Sequence, residues 1–300
     1  MKEKIAVLMA TYNGSKYLEE QLISIIAQAN IEWHLFVRDD GSTDNTVSLL
    51  RLYADKYENI TIVDNFGEFT GSAAGNFFKL VHFSDYSGFT HISFADQDDI
   101  WSPGKLRTAL DCMALEGAGG YSSNLVSYDN VMRRASYIDK SQAQKDFDYL
   151  FQGASAGCTY VITQQVCALI KAKTLAIDSF KGRSHDWLIY AICRVNEVKW
   201  ALDREAHIFY RQHATNVYGS MSAFQGLVSR IKLLRSGWYR NNILWVADKS
   251  GSKESAAKIV ELIERNGLLD KLKLLQMTCL FRRGKKESYF LKFIILFLFK

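Results

Sequence analysis

His91-Ile92-Ser93-Phe94-Ala95-Asp96-Gln97-Asp98-Asp99-Ile100-Trp101 decides the fold class. A β-type run stops at three carboxylates in four positions, a cluster that repels itself unless a cation or hydrogen-bond donors compensate it. The same pattern stands earlier in the chain, where Leu35 to Arg38 runs into Asp39-Asp40-Gly41-Ser42-Thr43-Asp44. Ile5 to Ala10 is a further strand, closed by Thr11-Tyr12-Asn13-Gly14, and Ile60 to Val63 is another. Between the strands, apolar residues recur at helical spacing: Leu18, Leu22, Ile25 and Ile26, then Val47, Leu50, Ala54 and Tyr57, then Phe77, Leu80 and Val81. Ser102 and Pro103 predict the N-cap and first position of a fourth helix. Alternation of this kind predicts a parallel, doubly wound sheet over roughly residues 1–110, with ligands outside the carboxyl ends of the strands. The two acidic clusters then share one rim.

Beyond residue 110 the pattern is more mixed, with strands expected at Tyr121 to Tyr128, Thr159 to Thr163 and Ile208 to Arg211, and a helix opening at Ser184-His185-Asp186-Trp187. From about 221 the chain reads as helical and basic: Phe224, Leu227, Val228, Ile231 and Leu234 form an apolar face beside Arg230, Lys232 and Arg235. The 300 residues are 48% hydrophobic with one proline, and no repeat is present, which excludes fibrous, Pro-rich and solenoid architectures. Five cysteines, an odd number without a C-x-x-C pair, signal neither a disulfide framework nor a zinc site and read as reduced cytosolic thiols. The net charge of +5 is concentrated at the end: residues 265–300 carry nine Lys/Arg against two acids, leaving −2 on the rest. A basic tail rather than a basic working surface argues against nucleic acid as a partner. The N-terminus lacks the features of a signal peptide.

Asp96 and Asp98 at a strand end suit a hard divalent cation bridging a diphosphate, and equally a solvated loop whose aspartates cap the next helix. Asp39 to Asp44 could accept hydrogen bonds from a nucleobase or a ribose, or form a turn with Asp44 capping a helix. Neither G-x-G-x-x-G nor G-x-x-x-x-G-K-[ST] follows the first strand, against a dehydrogenase or P-loop kinase.

The combination of Ala10-Thr11-Tyr12-Asn13-Gly14, Asp39-Asp40-Gly41-Ser42-Thr43-Asp44 and Asp96-Gln97-Asp98-Asp99-Ile100-Trp101 resembles the family 2 glycosyltransferases. Gly157-Cys158-Thr159, Ser184-His185-Asp186-Trp187 and Tyr210-Arg211-Gln212-His213-Ala214-Thr215-Asn216 look like the rhamnosyltransferase branch of bacterial polysaccharide synthesis. The resemblance covers residues 4 to about 220 and implies a GT-A fold, α/β, with a Rossmann-like, mostly parallel sheet. A nucleotide-sugar half (1–110) would be fused to an acceptor half (111–220), followed by a helical, basic, membrane-associating extension (221–300). It further implies that Thr11, Tyr12, Asn13 and Asp40 hold the nucleotide, Asp96 the ribose, and Asp98 a Mn²⁺ or Mg²⁺ ion. Asp186 falls where the family places its catalytic base. His213 is a candidate third metal ligand or diphosphate donor, Arg211 a candidate for offsetting diphosphate charge, and Gly71 to Asn76 a possible nucleotide contact. The Q-x-x-R-W motif of processive relatives is absent, so one sugar per encounter is expected.

The expected activity is inverting, metal-dependent transfer of one sugar, L-rhamnose from dTDP-rhamnose, to a lipid-linked saccharide at the cytoplasmic membrane face. A UDP-hexose or UDP-N-acetylhexosamine donor is the alternative; a nucleotidyltransferase or an inactive saccharide-binding protein stands further off. Tyr289 to Phe299, apolar but for Lys292 and shorter than the about 20 residues that span a bilayer, reads as an interfacial anchor. Arg282, Arg283, Lys285 and Lys286 are expected to meet anionic lipid beside it. Packing as a buried C-terminal helix is the alternative.

Overall fold

A computed structural model describes residues 3–83, 85–129, 134–213, 234–252, 254 and 256–299. The chain divides into two compact units, one of residues 1–141, 155–186 and 198–211, the other of residues 142–154, 187–197 and 212–300.

The first unit is built on a nine-stranded sheet. Its Rossmann-like half consists of β1 (Lys4–Thr11), β2 (Glu32–Asp39), β3 (Ile60–Ile62) and β4 (His91–Ala95), in the order β3-β2-β1-β4 and all parallel. Ile5 to Met9 are fully buried on both faces, as a central parallel strand covered by helices requires. The covering helices are α1 (Ser15–Ile26), α2 (Thr46–Lys56), α3 (Ala73–Phe83), α4 (Lys105–Glu116) and α5 (Gln164–Thr174). Beyond β4 the pairing turns antiparallel: β5 (Ile100–Trp101), β6 (Gly120–Asp129), β7 (Ala135–Ile138), β8 (Val161–Thr163) and β9 (Trp200–Gln212) extend the sheet as β4-β8-β6-β9-β5, with β7 on β6. Register sets the site. Thr11 lies opposite Asp39 and Met9 opposite Ala95, so the loops after β1, β2 and β4 leave one edge side by side.

Several local expectations change. α4 starts at Lys105 rather than at Pro103, because Ser102 donates its N–H to the His207 carbonyl while its own carbonyl accepts from Gln28. The strand expected from Thr159 starts only at Val161, Thr159 closing a 3₁₀ turn that begins at Gly157. β9 runs 13 residues, far longer than expected. The apolar face expected at 224–234, apart from Leu234, and the boundary near 220 lie outside the described residues.

In the second unit, α6 (His185–Val195, which begins in the first unit) is joined by α7 (Trp238–Ser250), α8 (Ala257–Arg265), α9 (Leu268–Gln276) and α10 (Lys285–Phe293). Ile243, Val246, Ile259, Ile263, Leu274, Phe281, Leu291 and Ile295 are buried. Arg282 and Arg283, expected to face lipid, are folded inward. Asp148 is wholly buried and a buried carboxylate needs counter-charge. It accepts from Arg194 at 2.6 Å and from the Tyr190 hydroxyl at 3.0 Å, with Arg283 at 3.4 Å. Arg282 donates to the Phe151 carbonyl at 2.8 Å. Among the described residues no helix is long and apolar enough to cross a membrane.

Candidate active site

The loops after β1 and β2 are tied together by the side chains expected to hold the nucleotide. Thr11 is buried and donates to Asp39 at 2.9 Å. Asn13, at φ 47°, accepts from the Thr43 N–H at 2.8 Å. Asp39 accepts from Gly41 N, Ser42 N and Ser42 Oγ as well. Asp40 is equally engaged: Arg38 Nη1 and Thr70 N donate to its Oδ1, and Thr70 Oγ1 and Gly71 N to its Oδ2. Gly71 and Asn76 thereby contact protein groups, Asn76 bonding Arg38 and the Thr11 carbonyl. Asp44 joins the first residues of α1 and α2. Burial opposes its ionisation, but hydrogen bonds from Thr46 and Ser15 outweigh it and hold the carboxyl at about 2. Tyr12 differs, with its side chain 56% exposed.

Gln97, which carried no role in the sequence reading, explains how the third loop is docked. It accepts from the Tyr12 N–H at 2.9 Å and donates to the Tyr12 carbonyl at 3.0 Å. A Cβ on Gly14 would meet the Gln97 side chain at 2.2 Å, which accounts for glycine there.

On either side of Gln97 the carboxylates crowd. Asp96, Asp99 and Cys158 bring ligand atoms within 4.8 Å of one another; among the described residues this group contains neither Asp98 nor His213. Burial, then the charges of Asp98 and Asp186, push Asp96 up to about 7. Asp99 is fully buried, burial and then the charges of Asp98 and Asp96 push its pKa well above the ordinary carboxylate range, and its Oδ2 has no hydrogen-bond partner among the described residues. Lys105 is buried nearby, donating to Ser93 at 2.9 Å and lying 3.5 Å over the Trp101 ring. Burial pulls it down to about 7 against the pull of Cys158 and Asp99. An oxygen-rich cluster whose charge the protein does not fully offset, with one buried oxygen left over, fits a hard divalent cation.

Asp186 sits in the first turn of α6, half-buried, and the Ser184 hydroxyl donates to its carboxylate. Its charge contributes, after burial and Asp98, to the raised pKa of Asp96. Gly157 permits the approach: a Cβ there would meet His185 Nε2 at 2.3 Å and Asp186 Cβ at 3.2 Å. Phe77 packs on the His185 ring at 4.1 Å, and burial pulls that imidazole's pKa down against the opposing charge of Asp186. Arg211 is buried behind the rim, bonded to Asp98, Asp99 and Glu20. His213 directly follows β9 and belongs to the second unit.

This arrangement of strand-end loops and acids has counterparts among known proteins. The model of the Glycosyl transferase family 2 matches residues 6–174, more than half of the chain. The chain belongs to family 2 of the glycosyltransferases. This glycosyltransferase is 38% identical over 245 residues to the dTDP-rhamnosyl transferase RfbG of Shigella flexneri, covering 80% of this chain and 83% of RfbG. It is 26% identical over 160 residues to the UDP-Glc:alpha-D-GlcNAc-diphosphoundecaprenol beta-1,3-glucosyltransferase WfgD of Escherichia coli, 53% of this chain and 59% of WfgD. Among solved structures it resembles S. aureus TarS 1-349 in complex with UDP-GlcNAc, with TM-score 0.58 at 15% identity over 86% of this chain and 75% of TarS 1-349. The mannosyltransferase PcManGT from Pyrobaculum calidifontis, in complex with GDP-Man and Mn²⁺, gives TM-score 0.53 at 15% identity over 99% of this chain and 85% of PcManGT. At such identities the structures speak for the fold of the glycosyltransferase, and it is the GT-A fold that the motifs implied.

Proposed function

We propose that this enzyme moves one L-rhamnose from dTDP-rhamnose to a hydroxyl of a lipid-linked saccharide during bacterial cell-surface polysaccharide assembly, working at the cytoplasmic face of the membrane. The observation that most supports the chemistry is that Gly157, against which Asp186 sits, directly precedes Cys158 of the cluster with Asp96 and Asp99. The choice of donor rests on the likeness to RfbG. A UDP-hexose donor is the second reading, favoured by the likeness to WfgD.

A sugar hydroxyl is a weak nucleophile, and Asp186, as a carboxylate, takes its proton as the oxygen attacks the anomeric carbon. The bond from that carbon to the phosphate oxygen breaks, its electron pair leaves with dTDP, and the configuration inverts. Ser184 fixes the Asp186 carboxylate in orientation. Tyr12 offers a ring face to the base. Asp98, with Asp96 and Asp99 on either side of it in the same loop, is the group that would hold Mn²⁺ or Mg²⁺. Such an ion, when bound, offsets charge gathering on the leaving diphosphate.

Incubation with a panel of nucleotide-sugars and Mn²⁺ tests the reading. Release of dTDP from dTDP-rhamnose, well above release of UDP from UDP-sugars, is expected. Faster turnover of a UDP-sugar would favour the second reading, and, in a parallel reaction supplied with pyrophosphate, its conversion with the nucleotide-sugar to a nucleoside triphosphate and a sugar 1-phosphate would instead mean nucleotidyl transfer.

A further inference from the structure

The outer side of the second unit carries apolar side chains where a water-soluble surface would carry polar ones. On α10 and the π turn that continues it (Ile294–Leu298), Tyr289, Phe290, Phe293 and Phe297 point outward at i, i+1, i+4 and i+8, one stripe of a helix. The opposite side is core: Leu291, Ile294 and Ile295 are buried. On α9, Leu268 and Leu269 are 72% and 73% exposed while Leu274 is buried. The two elements are neighbours. α9 packs on the π turn, and Lys271 Nζ and the Asn266 amide both donate to the Phe299 carbonyl, at 2.9 and 3.2 Å.

The charge beside the α10 stripe is mainly positive, the Glu287 carboxylate being turned back toward Gly284 at the start of the helix. Lys273, Lys285 and Lys286 are exposed, whereas Asp270 is paired with Arg265 at 2.7 Å. An apolar stripe flanked by exposed lysines, on helices too short to span, complements an anionic bilayer: rings sink into the headgroup boundary and ammonium groups meet lipid phosphates. A second copy of the chain fits less well, because a two-fold contact would set these lysines against their own counterparts.

We propose that the outer faces of α9 and α10 form an interfacial membrane-binding surface selective for anionic lipid, with Phe290, Phe293 and Phe297 as its inserted residues and Lys285 and Lys286 as its charge contacts. This deepens the reading of the acceptor as lipid-linked and takes its purpose from it, although binding itself needs no sugar. Arg282 and Arg283, turned inward, are not part of this surface.

The test is co-sedimentation of the full chain with vesicles of phosphatidylcholine alone or mixed with phosphatidylglycerol. Wild type is expected in the pellet with the anionic vesicles and at least tenfold less with the neutral ones. The combined Phe290→Ser, Phe293→Ser and Phe297→Ser variant changes only outward side chains and is expected to keep the wild-type melting temperature. It should lose binding at least tenfold, as should Lys285→Glu with Lys286→Glu. Wild type remaining in the supernatant, or the serine variant binding as wild type does, would overturn the proposal. So would a vesicle-free dimer that the serine variant dissolves, since the face would then belong to a second copy. dTDP release measured without vesicles tests the functional reading separately: release without vesicle binding sinks only the membrane surface, and binding without release sinks only the functional reading.

Discussion

Arg211 Nε donates a 2.9 Å hydrogen bond to the carbonyl oxygen of Asp98, so the end of β9 holds the acidic loop from behind. The backbone N–H of Arg211 reaches Asp99 Oδ1 at 3.3 Å, and its Nη2 reaches Glu20 at 2.6 Å. The guanidinium lies 4.4 Å from the Tyr17 ring centre and 5.0 Å from that of Tyr128. Arg211 thus holds the loop that carries Asp98.

Arg211→Ala is therefore expected to lower stability by about 1–3 kcal/mol, the cost of leaving buried partners unpaired, measured by urea unfolding. Arg211→Lys recovers little of this, since an ammonium cannot reproduce the fork. Glu20→Gln costs under about 1 kcal/mol, because Glu20 is half-exposed.

Gly157→Ala places a methyl against His185 Nε2 and pushes the start of α6 away. Turnover is expected to fall at least about tenfold through displacement of Asp186, with dTDP affinity nearly unchanged. Steady-state kinetics beside calorimetric titration of dTDP separates the two.

Tyr12, the exposed side chain of the first loop, is expected to act through its ring. Tyr12→Ala should weaken dTDP binding by about 1–3 kcal/mol, the usual worth of base stacking. Tyr12→Phe should leave it unchanged. Loss in both variants would mean that the hydroxyl, not the ring, makes the contact.

The pKa of Asp96, raised to about 7 by burial and by the charges of Asp98 and Asp186, has a definite sign for stability. Between its ordinary value and about 7 the folded protein binds the proton and the unfolded chain does not, so this group's contribution declines as pH rises through that window. In metal-free protein, Asp96→Asn should gain stability relative to wild type from pH 4 to about pH 7. Saturating Mn²⁺ should narrow the gap by stabilising the ionised wild-type cluster. Thermal melts of both proteins across pH check this, and parallel curves would contradict it.

The parallel half of the sheet was legible because each strand is a short apolar run stopped by turn or acidic residues, with a helical stripe between. β5 and β7, of two and four residues, are too short to show a period. β9 hides its length behind Asp203, Arg204, Glu205 and His207, polar residues that the sheet's antiparallel side leaves partly exposed. At the site, strand-end acids could be found from sequence, but their partners could not. Thr70 and Gly71 stand 30 and 31 positions from Asp40, and nothing local distinguishes a carboxylate that meets a nucleotide from one that holds a loop. Gln97 was missed because its partner is the backbone of Tyr12, 85 positions away.

The account stands most directly on a division of labour between Asp98 and Asp186, and titration of dTDP with Mn²⁺ into both variants, beside their turnover of dTDP-rhamnose, measures it. Asp98→Asn should abolish Mn²⁺-dependent dTDP binding and with it activity, since an amide is a poor ligand for a hard cation. Asp186→Asn should bind dTDP as wild type does while turnover falls by about 10² to 10⁴, the worth of a general base. Loss of dTDP affinity in Asp186→Asn, or retained turnover in Asp98→Asn at matched Mn²⁺, would contradict it.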